Sequence, residues 1–234
     1  MIVSYDFHIH TAASPCGDEL MTPNNIINLC ELLEKKIIAI TDHNTCCNCA
    51  PIMALGKEKD ILVIPGMEIE CMEEFHLIAL FPNLENAYEA EKQIQACMPK
   101  IKNRASIFGN QWIMNTEDEV IGEIERMLLT ATQLSVYELV PLVKGLSGCI
   151  YPAHIDRNAY SILSNLGAIP DDLYFDAFEV SKNAKDELYK GIYPGMRCVK
   201  SSDAHYLEQL CEGESFLEVE KIDKKSVFEW LKIV

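Results

Sequence analysis

All six histidines of the chain sit in short motifs suited to metal ligation, and none is left over. They are His8 and His10 in DFHIHT, His43 in TDHN, His76 in EFHLIAL, His154 in YPAHID and His205 in SSDAH. Imidazole is the commonest side-chain metal ligand, and most chains of this size scatter a few histidines with no role. Here each lies at or just past the end of an apolar, strand-like run, where an α/β barrel presents its chemistry. Alternate side chains of a strand share a face, so Asp6, His8 and His10 point the same way. The Cα atoms of His8 and His10 then stand roughly 6–7 Å apart, and both rings can converge on one cation. Asp6, deeper in the strand, is placed to orient one of them. Asp203 and His205 repeat the i, i+2 spacing near the other end of the sequence. Taken singly, His76 or His154 is as often a satisfied core histidine as a ligand; six together are not.

Carboxylates complete the set. Glu68 follows a strand and a Pro-Gly turn, where it can bridge two metals. Asp18 lies in an acidic, glycine-containing loop after the first strand. On an extended chain Asp42 faces away from His43, which makes it a supporting residue. Cys46, Cys47 and Cys49 follow His43 closely but lack a second CxxC pair, so they read as bystander thiols rather than soft-metal ligands.

These residues need a scaffold, and the chain is long enough to build one. Its 234 residues, 49% hydrophobic, suit a single domain spanning 1–234 with a substantial core. The formal charge is −16, from 20 basic and 36 acidic residues, without a Lys/Arg-rich stripe. Such a surface repels phosphates unless a metal-bearing cleft offsets it, so non-specific nucleic-acid binding is not expected. The start MIVSYDFHIH has no basic and no apolar leader region, and no apolar run approaches membrane-spanning length. A cytoplasmic protein with no membrane partner and ten reduced cysteines is the expectation.

Strand patterns fall at Ile2–Ile9, Ile37–Ile40, 61–64, His76–Leu80, 149–151, Ala177–Val180, Arg197–Lys200 and Ser215–Glu218. Thr22 and Pro23 open a helix as N-cap and first helical residue, and a short helix runs to about Lys59. The alternation predicts parallel βα units. The stretch 83–146 breaks the rhythm and reads as a mostly helical insertion, with helix formers over 84–98 and 117–132. Ser135 and Glu138 have the spacing of a capping box. A last amphipathic helix begins near Lys224.

In their order along the chain, DFHIHT, TDHN, GMEIE, EFHLIAL, YPAHID and SSDAH resemble the PHP (polymerase and histidinol phosphatase) family over most of the sequence. The resemblance implies a distorted (β/α)7 TIM-like barrel that holds three divalent metal ions. It implies His8, His10, Glu68 and Asp203 around one metal. Glu68 then bridges to a second, completed by His76 and His154, and Asp18, His43 and His205 hold a third. Nitrogen and oxygen donors without thiolate suit zinc, manganese or iron. Six cationic charges against three carboxylates would make the cleft an anion trap for a small phosphorylated substrate. A metal-bridging hydroxide would then attack phosphorus. Arg157, three residues after His154, is the candidate phosphate contact, because its fork matches phosphate oxygens. Lys182 and Arg104 are weaker candidates. The expected activity is hydrolysis of a phosphomonoester in a small metabolite or nucleotide. Histidinol phosphate is one candidate substrate, and a nucleotide or nucleoside bisphosphate is another. A phosphotriesterase or lactonase activity is less natural, since no lysine stands out as a carboxylated bridge. A non-catalytic PHP module or a cysteine-based metal sensor are the non-enzymatic alternatives.

Overall fold

The computed structural model describes residues 1–211 and 215–232. The chain order is β1 (Ile2–Ile9), α1 (Pro23–Leu32), β2 (Ile37–Ile40), α2 (Cys49–Glu58), β3 (Leu62–Glu70) and β4 (His76–Leu80). Next come α3 (Leu84–Ala96), α4 (Ala105–Phe108), β5 (Trp112–Met114), β6 (Val120–Glu123) and α5 (Val136–Gly145). The chain continues through β7 (Cys149–Pro152), α6 (Ile162–Leu166), β8 (Ala177–Val180), α7 (Asp186–Ile192) and β9 (Arg197–Lys200). It closes with α8 (Leu207–Leu210), β10 (Ser215–Glu218) and α9 (Lys224–Leu231).

The α/β class is as expected, but a closed seven-stranded barrel is not what forms. Six strands make an open, half-barrel sheet in the order β10-β1-β2-β3-β4-β7, while β8 and β9 pair separately. Strands β1, β2 and β3 run parallel, whereas β4 is antiparallel to both β3 and β7. The gap is spanned by loop bonds instead of ladders. Ile155 N–H donates to the Glu179 carbonyl at 2.8 Å, and His10 N–H to the Ala204 carbonyl at 2.9 Å.

Period-two patterning fixes the layers. Along β2, Ile38 and Ile40 enter one apolar cluster with Ile26 and Ile27 of α1 and Ile52 of α2. Ile37 and Ala39 enter the other, with Tyr5, Phe7, Tyr151 and the α9 residues Val227, Phe228 and Leu231. Each such fully buried large side chain contributes about 1.5–3 kcal/mol. Helix α1 starts where Thr22 accepts from Asn25 N–H with Pro23 following, as the sequence predicts.

Two local expectations need correction. Pro65 and Gly66 make no turn; both lie inside β3, which carries Glu68 on the strand itself. A Cβ at Gly66 would lie 2.7 Å from the Ala79 carbonyl oxygen, so glycine is what lets β4 approach. The insertion is also only partly helical. Residues 117–132 hold β6 of the β5–β6 hairpin and irregular chain rather than a helix. The side chain of Asn115 accepts from Glu117 N–H and Glu119 N–H, and Asp118 takes φ 60°. That turn competes with helix and is followed by β-branched Val120 and Ile121. The Ser135–Glu138 capping box does form. Among the described residues no helix is long and apolar enough to cross a membrane.

Candidate metal centre

Everything converges at the end of the sheet where β1, β2 and β3 finish. His8 lies within β1 and His10 directly follows it; His43 follows β2, Glu68 is in β3, His154 follows β7 and Asp203 follows β9. His76 is the exception to the strand-end expectation, being the first residue of β4. Because β4 runs antiparallel and pairs His76 with Glu70, its beginning reaches the same end of the sheet.

Glu68, 1% exposed, is the hub. Its Oε1 lies 2.8 Å from His76 Nδ1, 3.2 Å from His154 Nε2 and 3.3 Å from His8 Nε2. Its Oε2 lies 3.1 Å from His43 Nδ1 and 3.3 Å from His10 Nε2. Five of the six imidazoles thus aim a ring nitrogen at one carboxylate. Asp203 adds a second, with Oδ1 at 3.1 Å from His8 Nε2 and 3.2 Å from His10 Nε2. His205 stacks on His10 with ring centroids 4.0 Å apart. Three sets of donor atoms each lie within 4.8 Å of one another: His8, His10, Glu68, Asp203; His43, Glu68, His76; and His10, His43, His205.

The opposite nitrogens are already committed. His8 Nδ1–H donates to Glu179 Oε1 at 2.9 Å, and His10 Nδ1–H to Ser14 Oγ at 2.9 Å. A neutral ring so held presents a lone pair from Nε2. Those two Nε2 atoms face each other at 3.2 Å and face the Glu68 and Asp203 carboxylates. Lone pairs crowded against carboxylates are repulsive unless protons or cations lie between them. Glu68 Oε2 and His154 Nδ1 are buried without a hydrogen-bond partner. The donor set therefore fits divalent cations.

Without a cation, protons take that role. Burial opposes charging His8 and His10, yet the Asp203, Glu68 and Glu179 carboxylates outweigh it at His8. Asp203 and Glu68 do so at His10, which is raised to about 9. Burial would raise Glu68 and Asp203, but the surrounding imidazoles hold both well below the usual carboxylate range. His205 is lowered to about 4 by burial and by the positive charge on His10.

Supporting residues divide differently from expectation. Asp6 does not orient an imidazole: its Oδ1 accepts from the backbone N–H of His8 and Ser202, and its Oδ2 faces Lys35. That role falls to Glu179, which sequence reasoning placed in a strand but missed as a site residue. It also accepts from His154 N–H at 3.2 Å. A charged residue amid the apolar β8 segment AFEV was the available signal. Asp42 supports as expected, accepting from Ser14 Oγ at 2.6 Å and so backing the Ser14–His10 bond. Asp18 joins no donor set among the described residues. Its carboxylate accepts from Leu20 N–H at 2.8 Å, and only its backbone N–H reaches the His205 carbonyl. Cys16 from the same loop lines the pocket instead. The Cys46 thiol donates to Glu91, and Cys49 is buried beneath the sheet end; neither joins a donor set among the described residues.

Beside the cluster lies a pocket of 280 Å³, bordered by Glu68, Glu70, Leu129, Arg157 and Tyr160. Arg157 Nη1 meets Asp203 Oδ2 at 2.6 Å with its side chain 45% exposed, so its guanidinium stands at the pocket wall. Lys182 Nζ donates to the Gln209 carbonyl, and Arg104 lies exposed over the Phe108 ring. Neither lines this pocket. Backbone strain marks the same place: His154 and Asp203 adopt φ 29° and 51°, a region disfavoured for side chains other than glycine's.

A sequence model of the PHP domain matches residues 6–176. The chain belongs to the PHP domain family. The 5′-3′ exoribonuclease Rnm of Salmonella typhimurium is 33% identical over 102 residues, covering 40% of this chain and 32% of the relative. An uncharacterised protein of Methanocaldococcus jannaschii is 35% identical over 86 residues, 33% of this chain and 50% of that one. The matches thus span half or less of these relatives' lengths. Among solved folds, the lesion-specific endonuclease Q of Pyrococcus furiosus superposes with a TM-score of 0.77 at 17% identity, over 99% of this PHP chain and 56% of the endonuclease. A candidate metal-dependent phosphoesterase from Bifidobacterium adolescentis superposes at 0.61 with 18% identity, over 97% of this chain and 95% of that one.

These findings run against the expectation, drawn from net charge, that non-specific nucleic-acid binding is absent. Endonuclease Q has been solved on a duplex with an abasic lesion at its active site, and Rnm acts on RNA. Net charge is a property of the whole surface, whereas a substrate phosphate meets only the cleft, whose local field is set by its own cations.

Proposed function

We propose that this chain is a metal-dependent phosphoesterase that hydrolyses a phosphate ester of a nucleotide unit, free or at the end of a strand. The observation that carries this reading is the convergence of five imidazole nitrogens on both oxygens of buried Glu68. His8, His10, Glu68 and Asp203 would hold one ion, Glu68, His76 and His154 a second, and His43 with His205 a third. Zinc, manganese or iron suit these donors. Bound there, such cations would supply Lewis-acid activation of water and of the phosphoryl oxygens.

The chain's own residues do the rest. Glu179 and Ser14 fix the tautomers of His8 and His10 by accepting from Nδ1–H, so each Nε2 is aimed before any ion arrives. Glu68 neutralises charge between neighbouring sites and needs no proton of its own. Arg157, at the pocket wall with its guanidinium on Asp203, is placed to donate a hydrogen bond to a phosphate oxygen and steady it. Leu129 from the insertion and Tyr160 line the pocket beside these groups.

The test is phosphate release by protein stripped of metal and reloaded separately with manganese, zinc and iron. Substrates are histidinol phosphate, nucleoside monophosphates, 3′,5′-bisphosphates and 5′-phosphorylated oligonucleotides. Metal-dependent turnover of the nucleotide members is expected. Turnover confined to histidinol phosphate refutes the nucleotide assignment, and silence across the panel with metal bound refutes the phosphoesterase.

A further inference from the structure

Tyr160 is a large aromatic side chain left 53% exposed at the edge of an otherwise buried site. Its ring stacks on His76 with centroids 5.0 Å apart and planes inclined by 24°. One face is thus covered by an imidazole and the other is open. Burial does not hold the ring there; the backbone does. Tyr160 takes φ 53°, and its carbonyl accepts from His76 N–H at 3.0 Å. The loop is tied again by Ser161 Oγ donating to the Arg157 carbonyl at 2.7 Å.

Two cavities meet at this residue. The 280 Å³ pocket contains Glu68 and Asp203. A second, of 490 Å³, runs along the loop from Asp156 to Tyr160. Both are lined by His76, His154, Arg157 and Tyr160, so a ligand can occupy one and extend into the other. The second is large enough for a drug-sized planar group. A pre-positioned ring with one free face is what a flat aromatic ligand stacks on, irrespective of its hydrogen-bonding edges.

Resting on the phosphoesterase reading above, we propose that Tyr160 is the stacking platform for the nucleobase of the substrate, whose phosphate enters at Glu68. The loop then divides its labour: Arg157 contacts the phosphate and Tyr160 the base. The shared chemistry is a nucleobase one sugar away from a phosphate, whether in a free nucleotide or at a strand's end.

Adenosine 5′-monophosphate and ribose 5-phosphate differ only in the base, and their ratio isolates it. The measured quantity is the preference, AMP over ribose 5-phosphate, in kcat/KM and in equilibrium binding to metal-loaded protein. Tyr160→Ala should lower it about 5- to 150-fold, the range that loss of one base–aromatic stack spans. Tyr160→Phe and Tyr160→Trp should keep it, which a role through the hydroxyl would not allow. A 5′-phosphorylated dinucleotide and its counterpart with an abasic first sugar repeat the comparison. Tyr160 dependence with AMP assigns the platform to free nucleotides, and with the dinucleotide to strand ends. An unchanged preference in Tyr160→Ala, or an equal fall in Tyr160→Phe, overturns the proposal. Should no ester be hydrolysed, the phosphoesterase reading fails while the binding ratio still decides on Tyr160: a wild-type ratio of one overturns it.

Discussion

Replacing Glu179 separates a residue that aims the metal ligands from one that merely fills the core. Its Oε1 accepts from His8 Nδ1–H at 2.9 Å and from His154 N–H at 3.2 Å, with Glu179 1% exposed. A hydrogen bond to a charged group contributes about 1.5–3 kcal/mol, and a neutral acceptor keeps about half of that. Glu179→Gln should therefore cost about 0.8–1.5 kcal/mol of ligand pre-organisation, weakening metal binding about 4- to 12-fold. Glu179→Ala removes the acceptor entirely and should cost about 10- to 100-fold. In metal-free protein the Glu179 carboxylate helps to hold the proton on His8, so a neutral amide there removes a favourable charge pair. Metal-free Glu179→Gln should accordingly melt lower than wild type near neutral pH. Competition against a chromophoric chelator gives the affinities, and thermal melts of stripped protein give the stabilities. Affinities within twofold of wild type for both variants would refute the orienting role. An unchanged or higher melting temperature for metal-free Glu179→Gln would refute the argument about the charge pair.

Metal uptake should release protons. His8 is raised well above its ordinary value and His10 to about 9, because carboxylates outweigh burial, so both hold protons at pH 7.5 that a cation must displace. Calorimetry in buffers of different ionisation enthalpy reads the number, and affinity should rise with pH up to about 9; zero released protons contradicts the donor geometry. The same shift gives the metal-free protein a stabilisation fully present below the ordinary histidine pKa of about 6.5. It is lost as pH rises through the folded value, so stripped protein should melt lower at pH 9.5 than at 6.5. Gly109→Ala tests how the insertion is docked. Gly109 has φ 101°, and a Cβ there would lie 2.0 Å from the Pro15 carbonyl oxygen. Strain and overpacking should cost at least about 2 kcal/mol, a drop of roughly 4–8 °C in Tm, and an unchanged Tm refutes that contact.

Most of the centre was legible because its chemistry is written in short local patterns. An HxH on a strand fixes two rings on one face whatever the fold does next, and DAH at the other end repeats the device. Glu68 was legible as a candidate ligand among the histidines, although its setting was not. Proline and glycine read as a turn, yet Gly66 serves a close strand crossing that only the pairing of β3 with β4 reveals. Glu179 was opaque for a related reason. It lies 171 residues from His8, and only the placement of β8 beside β7 brings its carboxylate to that ring. The local use of the Asp18 carboxylate, here on Leu20 N–H, was not legible either, because it depends on how the turn settles. The insertion misled because helix propensity was summed over a stretch in which Asn115 and Asp118 set a turn. Barrel closure depends on long-range loop bonds that leave no periodic trace.

Metal content of Glu68→Gln, measured beside wild type after identical stripping and reloading, tests the central claim most directly. Glu68 touches His8, His10, His43, His76 and His154, so losing its negative charge strikes every proposed site that shares it. More than one ion per chain in wild type, and loss of at least two in a variant that stays folded by circular dichroism, is the expected result. Wild-type stoichiometry and affinity in Glu68→Gln would contradict the account.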